Sequence, residues 1–295
     1  MKNRRVWLLL VWVIATAVLV AAARRVNWTH ALAVTAGAKP GWIALAVLAN
    51  ASILAWWAGY WKLLLPRTDG AVPYRRMLEI VSTASSVMNT VPFGAGHATG
   101  VVLLVKRGGA SQSGALSVLA LDQLGEGIAK IAICLLAGEL LPLPDWMHAA
   151  VRAIAVAVAL LLTVMIVLAP RVQALETLRT WHRAAGALVC VLLMKTAEGL
   201  AIAAVQQSFG VAVPAPGTVL VLAAVVLATA LPLAPGNLGA YEAAVFLIYR
   251  YLGVPPDRAL ALAIVQHLCF MLPALGVGYL FVSTQTLARR AIASR

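Results

Sequence analysis

The chain has 295 residues, of which 62% are hydrophobic and 11% charged, and its mean hydropathy is +0.92. Those values exclude a soluble globular domain and describe an all-α polytopic membrane protein, filling residues 1–295 as one integral membrane domain. The formal net charge is +13, but the basic residues lie mostly between apolar stretches. Topology and anionic lipid account for them there, so the expected partners are membrane lipids and not nucleic acid.

The N-terminus has the form of a signal peptide, with Lys2, Arg4 and Arg5 before an apolar run and Ala21-Ala22-Ala23 after it. With so many apolar stretches following, Val6–Ala23 is expected to be an uncleaved first span. Gly41–Leu65 is the second, with Trp56, Trp57, Tyr60 and Trp61 near its end. Aromatics in that position suit a belt at headgroup level, and helix packing is the alternative for some of them. Met77–Val91 is apolar but only about 15 residues long, roughly 22 Å of helix, and so falls short of a hydrocarbon core about 30 Å thick. It runs into Pro92-Phe93-Gly94-Ala95-Gly96, where Pro92 and Gly96 interrupt the helix. His97–Val105 is shorter still and ends at Lys106-Arg107. Two half-length helices around a break predict a re-entrant hairpin over 77–107.

Ser113–Leu140, Trp146–Ala169 and Ala184–Gln207 are full spans, and Arg258–Ser283 is the last. Between the last two, Gly217–Leu252 repeats the hairpin pattern over 217–252. Its break is Leu231-Pro232-Leu233-Ala234-Pro235-Gly236-Asn237-Leu238-Gly239. Pro232 and Pro235 lack donors, Gly236 and Gly239 admit unusual backbone angles, and Asn237 is suited to cap a helix starting near Leu238. Backbone broken at membrane depth survives only where protein or a wet cavity covers it. The sum is about six transmembrane helices plus two re-entrant hairpins.

The two halves, 1–140 and 146–285, run in the same order: span, span, hairpin, span. Pro92 and Gly96 match Pro232 and Gly236, Gly109 matches Gly253, and Ala115-Leu116 matches Ala259-Leu260. The same register sets Asp122-Gln123 against Gln266-His267. With three spans in each half the second is inverted, an arrangement found in many secondary transporters. A cytoplasmic N-terminus puts Lys62–Arg76, Lys106-Arg107, Arg171–Arg183 and Arg289–Arg295 on the cytoplasmic side, as the positive-inside rule asks, with both termini inside a bacterial inner membrane. Arg24, Arg25, Lys39, Arg250 and Arg258 are exceptions.

Polar side chains within apolar segments are functional candidates by default. Glu242 follows the second break within the first turn of its helix. It can cap that positive end or carry a proton, and Asn237 lies beside it. Asp122, Glu126 and Lys130 recur every four residues, so they share a helix face and can neutralise one another. Two acids to one base leave a carboxylate in need of a proton or a cationic partner. Lys195 and Glu198, three apart, either pair or leave Lys195 to receive a phosphate. His97 and His267 are either packed and hydrogen-bonded or proton carriers. Asn89, Thr99, Tyr241 and Gln266 are secondary candidates or plain helix–helix hydrogen bonds. Cys134, Cys190 and Cys269 fall in apolar spans without metal-ligand spacing and are expected to be small buried residues. No hydrolase, metalloprotease or nucleotide-cradling motif is present, so no metal, cofactor or catalytic residue is expected.

These breaks resemble a known group. Leu231-Pro232, Pro235-Gly236, Gly239, Glu242, Gly253 and the Ala259–His267 run resemble the C-terminal signature of the lysylphosphatidylglycerol synthase transmembrane, or flippase-like, family. Val91–Gly96 followed by Lys106-Arg107-Gly108-Gly109 resembles its N-terminal counterpart. The resemblance implies an integral membrane protein that moves a lipid between leaflets. It carries over to Pro232, Gly236, Gly239 and Glu242. Members often carry Arg near the positions that are Gln123 and His267 here, so the grip on the same phosphorylated headgroup does not carry over. The soluble aminoacyl-transfer domain of the synthases does not follow these residues, which argues against aminoacyl-lipid synthesis.

The expected function is therefore a lipid translocase working through a midplane cavity, driven by protons or by the lipid gradient itself. The alternatives are a membrane-embedded lipid transferase or phosphatase, in which His97 with Asp122 or Glu126 would act as acid and base, and an accessory subunit of a lipid-synthesis complex.

Overall fold

A computed structural model describes residues 37–91, 95–140, 180–230 and 234–293, with isolated positions between 149 and 163. The expected span Val6–Ala23, most of Trp146–Ala169, and the break residues Pro92 and Pro232 lie outside the described residues. Every regular element described is helical: α1 Pro40–Leu64, α2 Tyr74–Thr90, α3 Ala95–Lys106, α4 Gln112–Leu140, α5 Trp181–Ser208, α6 Ala215–Ala228, α7 Ala240–Tyr251 and α8 Pro256–Ala293.

Local chemistry explains the boundaries. Proline supplies a preset φ at the start of α1, and Pro73 and Pro214 stand just before α2 and α6. α1 stops where Leu65 turns extended before Pro66, and α2 where Val91 turns extended before Pro92. After α3 and α7 the chain reverses at Gly109 and Gly253, with φ of 74° and 81°. The sequence matches these two glycines to one another, and they take the same left-handed conformation.

α1, α5 and the stretch Pro256–Phe281 of α8 are long and apolar enough to cross a membrane. The expected spans Gly41–Leu65 and Ala184–Gln207 are thus present as helices, and Arg258–Ser283 belongs to a helix that continues to Ala293. α4 is long enough, at 29 residues, but its polar face carries Asp122, Glu126 and Lys130, and it does not pass on apolarity.

Short helices stand where the two hairpins are expected and pack in pairs, α2 on α3 and α6 on α7. Within the first, glycine sets the distance. A Cβ on Gly96 would lie 2.5 Å from Met88 Cβ, and one on Gly100 would lie 3.4 Å from Ala84 Cβ. Small residues four apart let backbones approach in this way. α8 closes on α2 by the same device: Gly278 sits against Ser82 and Ser86, and Ser86 donates to the Ala274 carbonyl at 2.7 Å.

The two breaks differ. Gly96 is a buried helical residue in the first turn of α3, so it is not part of the first break. Gly236 lies in a 3-10 turn, Pro235–Asn237, with φ of 56°. Asn237 also takes a left-handed φ of 54° and caps nothing. α7 begins two residues later than the sequence predicts, because Gly239 and Glu242 provide the start instead.

The interior forms two apolar clusters. One gathers α2, the second half of α1 and the first halves of α4 and α5. The other gathers α6, α7, α8, the first half of α1 and the second half of α5. α1 and α5 pack along each other and join the two. The Pro235–Asn237 turn rests on the end of α2, where Gly236 meets the Asn89 carbonyl.

Candidate functional site

α1 and α4 enclose a buried carboxylate. Asp122 is 1% exposed, and the indole N–H groups of Trp57 and Trp61 both donate to its Oδ1 at 2.9 Å. The two rings stand edge to face, with centroids 5.7 Å apart. Tyr60 donates to the Leu121 carbonyl at 3.2 Å, and the absence of a side chain at Gly125 leaves room for its hydroxyl. Only Trp56 of this aromatic group is exposed, so the sequence's headgroup belt is mostly an inward-facing clamp. Indole N–H groups buried in an apolar bundle need an acceptor, and a carboxylate with several lone pairs serves two.

Asp122 Oδ2 faces Gln123, whose Nε2 lies 3.3 Å away. The same Nε2 is 2.8 Å from His97 Nε2, which links α4 to the start of α3. Lys130 and Glu126 are close enough to act electrostatically on His97.

The expected ladder along α4 does not form. Glu126 turns across to α5, where Lys195 Nζ is 3.1 Å from Glu126 Oε2 and 3.3 Å from Glu198 Oε2. One ammonium thus holds two carboxylates, all three side chains being largely buried. The predicted Lys195–Glu198 pair is present, and with Glu126 it leaves Lys195 no net positive charge for a phosphate.

The second constellation is built on α7 and α8. Glu242 Oε2 accepts the Gly239 N–H at 2.7 Å and so closes the first turn of α7 with a carboxylate at its positive end. Its Oε1 is 2.7 Å from His267 Nδ1. His267 is 2% exposed, stacks on Tyr241 with centroids 4.2 Å apart, and leaves its Nε2 without a partner. Of the two roles open to Glu242, the cap is occupied, and the same carboxylate also holds the imidazole.

A buried chain of hydrogen bonds runs from here to α6, all donated in one direction. Thr218 donates to Gln206, Gln206 to Tyr249, Tyr249 to Gln266, and Gln266 to Tyr241, at 2.9–3.2 Å. Sequence reasoning found Gln266 and Tyr241 but missed Gln206, Tyr249 and Thr218. The available signal was their polarity within long apolar helices, where each such group needs a partner. Asn89, by contrast, bonds only back to Ser85 of its own helix at 2.9 Å.

A model of the lysylphosphatidylglycerol synthase TM region matches residues 7–278. The chain belongs to that family. No curated protein gives a significant match. Membership fixes the chain as a membrane protein of a family associated with lipid handling, in keeping with its three long apolar helices.

Two open grooves are found among the described residues, and neither is lined by these charged groups. One, of about 360 Å3, lies between α5 and α6 and includes Gln206 and Thr218. The other, of about 320 Å3, is an apolar groove on α8 around Leu272 and Tyr279. The expected midplane cavity between the hairpins corresponds to neither. Cys269 is buried and Cys134 and Cys190 half-buried, all as free thiols. Among the described residues no cluster of three His, Cys, Asp or Glu side chains could hold a metal ion.

Proposed function

We propose that this chain is a lipid translocase, built as an inverted repeat in a bacterial inner membrane with both termini cytoplasmic. A polar headgroup crosses along the polar face that α3 and α4 share, while its acyl or prenyl chains stay in lipid. The observation that carries the reading is the contact between the turn Pro235–Asn237 and the end of α2. There the turn of one short helix pair meets the helix end that leads into the other pair's break, in a family associated with lipid handling. Broken backbone and ionisable groups kept at such a meeting point cost stability, and in transporters they mark the substrate path.

The packing supports the repeat. Exchange of α1 with α5, α2 with α6, α3 with α7 and α4 with α8 turns each extensive helix–helix contact into another that is also present. α2 on α8, for instance, becomes α6 on α4. No nucleotide-binding motif offers a chemical drive, so the work comes from a proton gradient or from the lipid gradient. The Glu242–His267 pair is the proposed proton carrier.

The test is transbilayer movement of labelled lipid in proteoliposomes, with Glu242→Gln alongside. Wild type is expected to exceed empty vesicles and to respond to an imposed pH gradient. Glu242→Gln should be slower by about tenfold, the worth of one charge-assisted hydrogen bond. Equal rates in all three preparations reject the proposal.

A further inference from the structure

Lys130 is the charge that the pairing leaves over. It lies on α4 ten residues before Leu140, about 15 Å from the nearer helix end at 1.5 Å per residue. Its side chain is half-buried and makes no hydrogen bond or ion pair among the described residues. The carboxylate one turn back, Glu126, is engaged by Lys195 instead. An ammonium at that depth is costly without a counter-charge.

The neighbouring histidine is polarised to match. Gln123 Nε2 faces both the Asp122 carboxylate and His97 Nε2. The carboxylate is an acceptor, so it holds the amide with its NH2 inward, and that NH2 donates to His97 Nε2. The neutral ring then carries its proton on Nδ1. Lys130 lies two turns after Gln123 on the same face of α4, so it and His97 offer four N–H donors along that face, and neither has an acceptor to spare. A donor-only pair of that kind suits an oxyanion.

We propose that Lys130 and His97 receive the phosphate oxygens of an anionic lipid headgroup entering between α3 and α4. The assignment deepens the translocase reading and rests on it, and it moves the phosphate site from Lys195, which already holds two carboxylates, to Lys130. A lipid is the expected source of the phosphate, because the site is on a helix that carries its polar face through apolar surroundings.

Detergent-solubilised protein titrated with phosphatidylglycerol, with bound lipid counted by native mass spectrometry, tests this directly. Lys130→Met should weaken binding about tenfold, the loss of one charge-assisted contact. Lys130→Arg should retain it, and phosphatidylcholine should compete poorly. If Lys130→Met does not fold, Lys130→Gln takes its place. Unchanged binding in the neutral variant overturns the site, and displacement by millimolar inorganic phosphate overturns the lipid as its ligand. Lys130-dependent binding in a protein that moves no labelled lipid keeps the site and sinks the translocase. Lipid movement with binding indifferent to Lys130 does the reverse.

Discussion

His97 with Gln123, and Tyr241 with His267, occupy matched positions in the two halves, each residue of the second pair 144 positions after its mate. Both pairs join the start of a short helix to the long helix that follows it. The first is a hydrogen bond at 2.8 Å on a face where Gln123 is exposed. The second is a ring stack, buried and reinforced by Glu242. The residue beside each pair differs as well: Asp122 is a carboxylate held by two indoles, whereas Gln266 is an amide inside a chain of tyrosines. On the proposed repeat, one backbone plan carries an open polar face in the first half and a buried, more fully bonded one in the second. Satisfied buried networks rigidify, and partly satisfied ones are available to a ligand. On the proposed translocase reading, α7 and α8 supply stiffness and α3 and α4 handle the headgroup.

The largest effect is expected where the halves are tied together. Lys195→Met leaves Glu126 and Glu198 facing each other across α4 and α5 with no cation between them. Removing one partner of a buried ionic group costs about 3–5 kcal/mol, which should show as a marked fall in unfolding temperature in detergent. Neutralising both acids in the same chain, with Glu126→Gln and Glu198→Gln, should restore most of the loss. A single Lys195→Met variant as stable as wild type would show that the two halves do not depend on this bridge.

Next comes the closed side. Tyr249→Phe removes one oxygen and strands the Gln206 Nε2 and the Gln266 Oε1, both buried. Each stranded group costs about 1–3 kcal/mol, so a loss of at least about 2 kcal/mol is expected by chemical denaturation. The first half has no such chain: Val105, the mate of Tyr249 in the same register, has no polar group to lose. An inert Tyr249→Phe would remove the claimed difference in stiffness.

Which of these features the sequence could show depended on the range of the interaction. Helix ends follow from residues within a few positions, so the limits of α1, α2 and α5 and the matched glycines Gly109 and Gly253 were legible. So was the alignment of Asp122-Gln123 with Gln266-His267. Pairings between helices were not. The local four-residue rule paired Glu126 with Lys130, but Lys195 stands opposite on another helix and takes that carboxylate along with its own Glu198. Trp57 and Trp61 read as interfacial aromatics because nothing in the sequence places Asp122 between them. Asn237 has the composition of a cap, yet Gly239 and Glu242 close the helix first with one short hydrogen bond.

The smallest effect is the sharpest test of the asymmetry, because it asks the same question at two similar places. His267→Leu removes a fully enclosed ring that stacks on Tyr241 and holds Glu242. Glu242 keeps its bond to the Gly239 N–H, so the loss should be about 1–2 kcal/mol. His97→Leu touches a half-buried ring whose partner Gln123 can turn to solvent or headgroups, and should stay within about 0.5 kcal/mol. Lipid movement without an imposed pH gradient should reverse the order, with His97→Leu the slower because it loses a donor on the open face. If the two histidines cost the same in stability and in transport, the halves are alike in function as well as in plan. The headgroup would then have no reason to prefer α3 and α4.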